Sequence, residues 1–94
     1  MKKNKKKTVD KHFMIRCIQR LGYVPKEKDI VRAIQSGDLT FYERQSCRVT
    51  KWLWTDPITG TECILPYDKE RKQIITVLFK EIEDETKAIE VERN

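Results

Sequence analysis

Between residues 62 and 80 two apolar runs, 63–67 and 74–79, flank a charged turn over 68–72. β-Branched and aromatic residues bounded by turn chemistry read as paired strands rather than as helix. Ile74, Ile75 and Val77 make the second run the clearest strand of the chain. Its alternation predicts Ile75, Val77 and Phe79 on one face and Ile74, Thr76 and Leu78 on the other. Thr76 is the one uncharged polar side chain inside that run, either an ordinary β-former or a group required at a site. Two strands alone are marginal in water, so the rest of the chain must supply neighbouring strands and a covering layer.

The neighbouring strands lie upstream. Residues 39–45 and 47–55 alternate, the latter with Cys47, Val49 and Leu53 on one face and Arg48, Thr50, Trp52 and Trp54 on the other. Residues 56–60, Asp-Pro-Ile-Thr-Gly, have hairpin-turn chemistry, with proline presetting φ and glycine supplying a positive φ. Pro66 points to a bulge or an edge location in the third strand, because proline lacks the N–H that a ladder needs.

Before residue 39 the spacing is helical. Thr8 or Asp10 caps a helix reaching about Leu21, with Met14, Cys17, Ile18 and Leu21 as the expected buried stripe. Gly22 and Pro25 end it. A second helix runs from about Pro25 or Lys26 to Ser36 on an apolar stripe of Ile30, Ala33 and Ile34, and Gly37 stops it. The expected fold is therefore α+β, with two N-terminal helices packed on one face of a four-stranded antiparallel sheet. Residues 1–8 are expected to be a disordered basic tail, 9–80 a single domain, and 81–94 an acidic tail or short helix.

Charge is distributed unevenly along the 94 residues, whose net charge is +5. Five lysines stand in residues 1–7, and residues 81–94 carry six acids against two bases. Residues 8–80 hold thirteen bases and nine acids, a net of +4. A basic body favours polyanions over acidic surfaces as partners, and RNA is the expected one. The three cysteines are odd in number and too far apart for a metal motif, which fits reduced thiols and a cytoplasmic protein. The lysine-rich start leads into no apolar run, so neither a signal peptide nor a membrane segment is expected.

An open sheet face carrying Arg44, Arg48, Thr50, Trp52, Trp54 and Thr76 suits nucleic acid, with guanidinium groups on phosphates and rings stacked on bases. Each residue also has an ordinary role, since arginines decorate surfaces and tryptophans anchor cores. His12 is the only histidine and shares a helix edge with Arg16 and Arg20, spaced i, i+4 and i+8. Metal-free RNA cleavage requires a group that takes the 2′-OH proton and cations for the phosphorane. His12 with Arg16 can supply both, or be an exposed histidine beside a surface arginine. No glycine-rich phosphate loop, nucleophile elbow or Cys/His ligand spacing is present, so no metal or other cofactor is expected.

Residues 11–22, Lys-His-Phe-Met-Ile-Arg-Cys-Ile-Gln-Arg-Leu-Gly, resemble the opening helix of small bacterial and phage domains with a His-x-x-x-Arg start. In those domains a helix like 28–37 follows, then strands ending in a run similar to residues 68–78. They are similar in turn to the barnase, colicin and RelE group of ribonuclease toxins. The resemblance implies His12, Arg16 and Thr76 as catalytic residues around one cleft, with basic residues on the middle strands. It gives the leading functional expectation, a small metal-independent RNA endonuclease of toxin type, with a cognate antitoxin or a host protein as further partner. The alternatives are a non-catalytic RNA- or DNA-binding module that uses Arg20, Arg44, Arg48, Trp52 and Trp54, and a phage or mobile-element protein that inhibits a host protein by binding it.

Overall fold

The strand with the most buried side chains is the one that contains a proline. In β3 (Glu62–Asp68) every residue after Glu62 is buried, and the strand pairs antiparallel with β2 (Val49–Thr55) along its whole length. On its other side Pro66 has no N–H to give, and the ladder breaks there. Tyr67 and Asp68 pair with β4 (Gln73–Ile74), whereas Cys63 and Ile64 pair with β5 (Leu78–Phe79). Residues 75–77 bulge between the two, fastened by the Ile75 N–H on the Pro66 carbonyl at 2.9 Å. Pro66 predicts a bulge or an edge location in the third strand, but β3 itself is an inner strand in unbroken register with β2. The bulge lies opposite Pro66, where it splits the fourth strand. It also shifts parity. Ile74 opposes Tyr67 and Phe79 opposes Cys63, side chains of one β3 face, although Ile74 and Phe79 are five positions apart. The simple alternation expected over 74–79 therefore fails after Ile74. β1 (Thr40–Arg44) completes the sheet against β2, in the order β1-β2-β3-β4 with β5 also on β3.

This computed structural model describes residues 4–93, with side chains over 11–88. The fold is α+β, with α1 (Asn4–Leu21) and α2 (Glu27–Ser36) preceding the strands, as the spacing predicts. Phe13 and Cys17 of α1 and Ile30 and Ile34 of α2 meet Cys63, Leu65, Tyr67, Ile74 and Val77 in one core. Trp52 and Trp54, which oppose Leu65 and Cys63, pack half-buried against that core. The expected face for the tryptophans is therefore reversed. Alternation divides a strand into two sets without saying which set turns inward. Two indoles bring far more apolar area than Val49 and Leu53, and burial favours them. α1 is rotated in the same way. Phe13, Cys17 and Leu21 face the core, while Met14, Ile15 and Ile18 are 43%, 50% and 57% exposed.

The opposite sheet face is covered as well, by α3 (Lys80–Arg93), so it is not the open face that two helices alone would leave. Glu83 pairs with Lys51 at 3.4 Å and Lys87 with Glu43 at 3.1 Å. The Tyr42 hydroxyl donates to Asp84 at 2.6 Å. The register shift between Phe41 and Glu43 lets Tyr42 and its neighbour Glu43 both reach this helix. Ile64, opposite Leu53, is fully buried on this side.

The N-terminal end differs from expectation, while at the C-terminal end the helix, one of the two expected alternatives, is present. α1 begins at Asn4, so residues 4–8 are helical rather than a disordered tail, and residues 1–3 of that tail lie outside the described residues. Lysine is a good helix former, and a helix fixed downstream by Phe13 and Cys17 extends upstream without a new nucleus. Of residues 81–94, all but Asn94, which is outside the described residues, belong to α3. No helix among the described residues is long and apolar enough to cross a membrane.

Candidate nucleic-acid interface

Asp68 builds the turn between β3 and β4. It is 4% exposed, and its Oδ1 accepts the N–H groups of Glu70 and Arg71 at 2.9 and 3.1 Å. Its Oδ2 accepts Arg48 Nε and Nη2 at 3.0 and 2.9 Å. Burial alone would raise this carboxyl, but the Arg48 hydrogen bonds and the two N–H groups outweigh it and hold Asp68 below the usual carboxylate range. The Asp68 carbonyl then accepts the Lys72 N–H at 2.7 Å. A turn closed this tightly carries Lys72 to a φ of 57°. That is the left-handed region, where a Cβ is penalised and glycine is preferred.

The turn and α2 enclose a groove of about 400 Å³. Lys28, Arg32 and Gln35 line it from the helix, and Arg71, Lys72 and Gln73 from the turn, with Glu27 and Val31 between them. Glu27 is directed inward, its Oε2 accepting the Ile74 N–H at 2.9 Å. Gln35 Nε2 donates to the Tyr67 hydroxyl at 3.1 Å and ties the helix to the central strand. Arg32 meets Asp29 only at 3.9 Å, between two exposed side chains. Among the described residues no ion pair forms at Lys28, Arg71 or Lys72. Four cations therefore converge on one groove while its carboxylate is otherwise engaged. Among the described residues no group of three or more His, Cys, Asp or Glu side chains is placed to hold a metal.

The residues singled out from sequence fall into separate places. Arg48, expected on phosphate, is bound to Asp68 and lies 3.9 Å from Glu70. It supports the turn instead. Arg44 is exposed at the end of β1, with Nε on the Ser46 carbonyl at 3.3 Å. Trp52 Nε1 donates to Thr50 Oγ1 at 2.9 Å, and its ring meets Phe41 edge-on with centroids 5.5 Å apart. Trp54 packs against the same core, and both indoles are half-buried there.

His12, Arg16 and Arg20 do form a row along α1. Arg20 Nη1 donates to the Val77 carbonyl at 2.9 Å, which brings that end of the row against the bulge containing Thr76. Arg16 Nη1 donates to Gln19 at 3.0 Å, and His12 is exposed. The helical rise puts Arg16 about 6 Å and His12 about 12 Å further along the axis. Arg20 and the Thr76 segment are thus brought together, while Arg48 is engaged with Asp68.

Sequence reasoning missed Lys28, Arg32, Arg71 and Lys72. Two signals pointed to them. Lys28 and Arg32 are spaced i, i+4 and so share a helix face. An aspartate opening a five-residue charged turn is a known organiser of backbone N–H groups. Compared with protein-family models, with curated proteins and with solved structures, the chain gives no match.

Proposed function

We propose that this protein binds RNA through the groove between α2 and the β3–β4 turn, as a non-catalytic module. Lys72 carries the reading. A lysine stands at a backbone conformation where glycine costs less, and it lines the groove without an ion pair among the described residues. Strain retained at one position, beside three further cations, is what a binding site for polyanions would keep. Each cation that meets a phosphate displaces a condensed counterion, which gives affinity that falls with salt. The test is the double variant Arg71→Ala, Lys72→Ala titrated with RNA at several salt concentrations. The slope of log K against log salt should flatten by about two units at most. An unchanged slope would put the RNA elsewhere on the molecule.

One observation favours a second reading, metal-free RNA cleavage of the toxin type. The bond from Arg20 to Val77 puts one end of the His12, Arg16 and Arg20 row against the Thr76 bulge. In that reading His12 moves the 2′-OH proton, Arg16 and Arg20 hold the phosphate, and Thr76 orients one of its oxygens. Incubating the protein with total RNA in excess chelator tests it, because defined fragments that disappear with His12→Ala are required.

A further inference from the structure

We infer that the nucleic acid held in the α2 groove is double-helical RNA, and not a single strand. This rests on the RNA-binding reading of the same groove and names its ligand more narrowly. Single strands are gripped by cations that track the backbone together with rings on which bases stack. The groove has the first component only, in Lys28, Arg32, Arg71 and Lys72, and no ring lines it.

The rings are engaged elsewhere. Trp52 and Trp54 pack on the core, Tyr23 bonds Asp56, and Tyr42 bonds Asp84. Phe41 is 51% exposed, but it lies on β1 at the far edge of the sheet from β4. Three strand spacings separate those edges, about 14 Å, and splayed bases gripped in the groove would have no platform.

A duplex keeps its bases stacked internally and shows a regular ladder of phosphates and 2′-hydroxyls, which proteins read as shape. The groove matches that demand because both walls are fixed before binding. Asp68 holds one wall through hydrogen bonds to Glu70, Arg71 and Arg48. Ile30 and Ile34, buried in the core, hold the α2 wall. Preset cation positions favour a ligand whose phosphates are also preset, since neither side loses much freedom on binding.

The experiment uses the full chain in chelator and reads fluorescence anisotropy. The ligands are a roughly 20-base-pair RNA duplex, each of its strands alone, and the DNA duplex of the same sequence. The expected result is an RNA duplex bound at least about tenfold more tightly than either strand, and more tightly than the DNA duplex. That preference should vanish in Arg71→Ala, Lys72→Ala. The exposed pair Lys28→Gln, Arg32→Gln serves as a second variant that leaves the turn untouched, with melting curves confirming that both fold. Single strands bound as tightly as the duplex, with both variants still weakening them, overturn the duplex inference and leave the groove standing. Equal binding of the DNA duplex overturns the assignment to RNA. Binding of every ligand unaffected by both variants overturns the groove itself.

Discussion

Arg48 reaches from the start of β2 to Asp68 at the end of β3 and gives both Nε and Nη2 to one carboxylate oxygen, at 3.0 and 2.9 Å. The same carboxylate holds two backbone N–H groups of the basic turn, so the arginine supports the groove without lining it. Arg48→Ala should therefore lower the melting temperature and speed amide exchange at Glu70 and Arg71, while changing the salt slope of RNA binding by less than one unit. Arg48→Lys should rescue little, because an ammonium cannot reproduce the two-nitrogen approach. Wild-type exchange at those amides combined with a slope lower by about one unit would mean that Arg48 touches phosphate directly.

Lys72 offers the opposite combination. Replacing it with glycine relieves the left-handed backbone strain, which for a residue with a Cβ is roughly 1 kcal/mol, less some cost in unfolded-chain entropy. Lys72→Gly should raise the melting temperature slightly and weaken RNA binding together. A variant that is less stable, or that binds RNA as wild type does, removes the argument that this lysine is kept for its charge.

The pH dependence of stability follows from buried polar groups. Burial opposes ionisation of Asp56, yet hydrogen bonds from Thr59, Tyr23 and the N–H groups of Ile58 and Thr59 lower its pKa, as Arg48 and the turn do for Asp68. A depressed carboxyl contributes stability above its unfolded value, about 3.9, that is lost as pH falls through the folded value. Acid unfolding should begin below about pH 4 and weaken in Asp68→Asn, which is itself less stable at neutral pH by roughly 1–3 kcal/mol. Tyr23 behaves in the reverse sense. Its hydrogen bond to Asp56, and then burial, push it up to about 12. That stability is complete below about pH 10 and is lost as pH rises towards the folded value. The thiols of Cys17 and Cys63, pushed up to about 11 by burial, add a loss that starts lower. Thermal melts between pH 9 and 12 should show Tyr23→Phe removing the upper part of the alkaline loss only. An unaltered alkaline profile in that variant would mean the tyrosine does not titrate against Asp56.

Much of the architecture is legible in the sequence because it depends on local rules. Helical spacing, the Gly22 and Gly37 stops and the alternating runs determine the order of elements, and Pro66 signals an irregularity without telling which strand of the pair absorbs it. Facing depends on competition between distant surfaces, which a local pattern does not contain. Hence the alternation alone points Trp52 and Trp54 outward, although the indoles outcompete Val49 and Leu53 for the helices. The site suffered the same limit. Arg48 in sequence is a free cation, and only the pairing of Val49 with Asp68 reveals its partner. Conversely, Arg32 and Lys72 are forty positions apart, and nothing short of the fold brings them to one groove.

The tryptophans give the most direct separation of the α2 groove from the sheet face as a surface for RNA. As core groups, they should matter for stability and not for binding. Trp54→Ala removes a half-buried indole from beside Cys63 and Leu39, and should cost roughly 2–4 kcal/mol. The folded fraction of that variant should bind RNA with wild-type affinity and wild-type salt slope. RNA added to the wild-type protein should leave tryptophan emission nearly unchanged, because no base reaches either ring. Strong quenching at saturation would mean that bases stack on Trp52 or Trp54, which would return the interface to the sheet and remove the α2 groove from consideration.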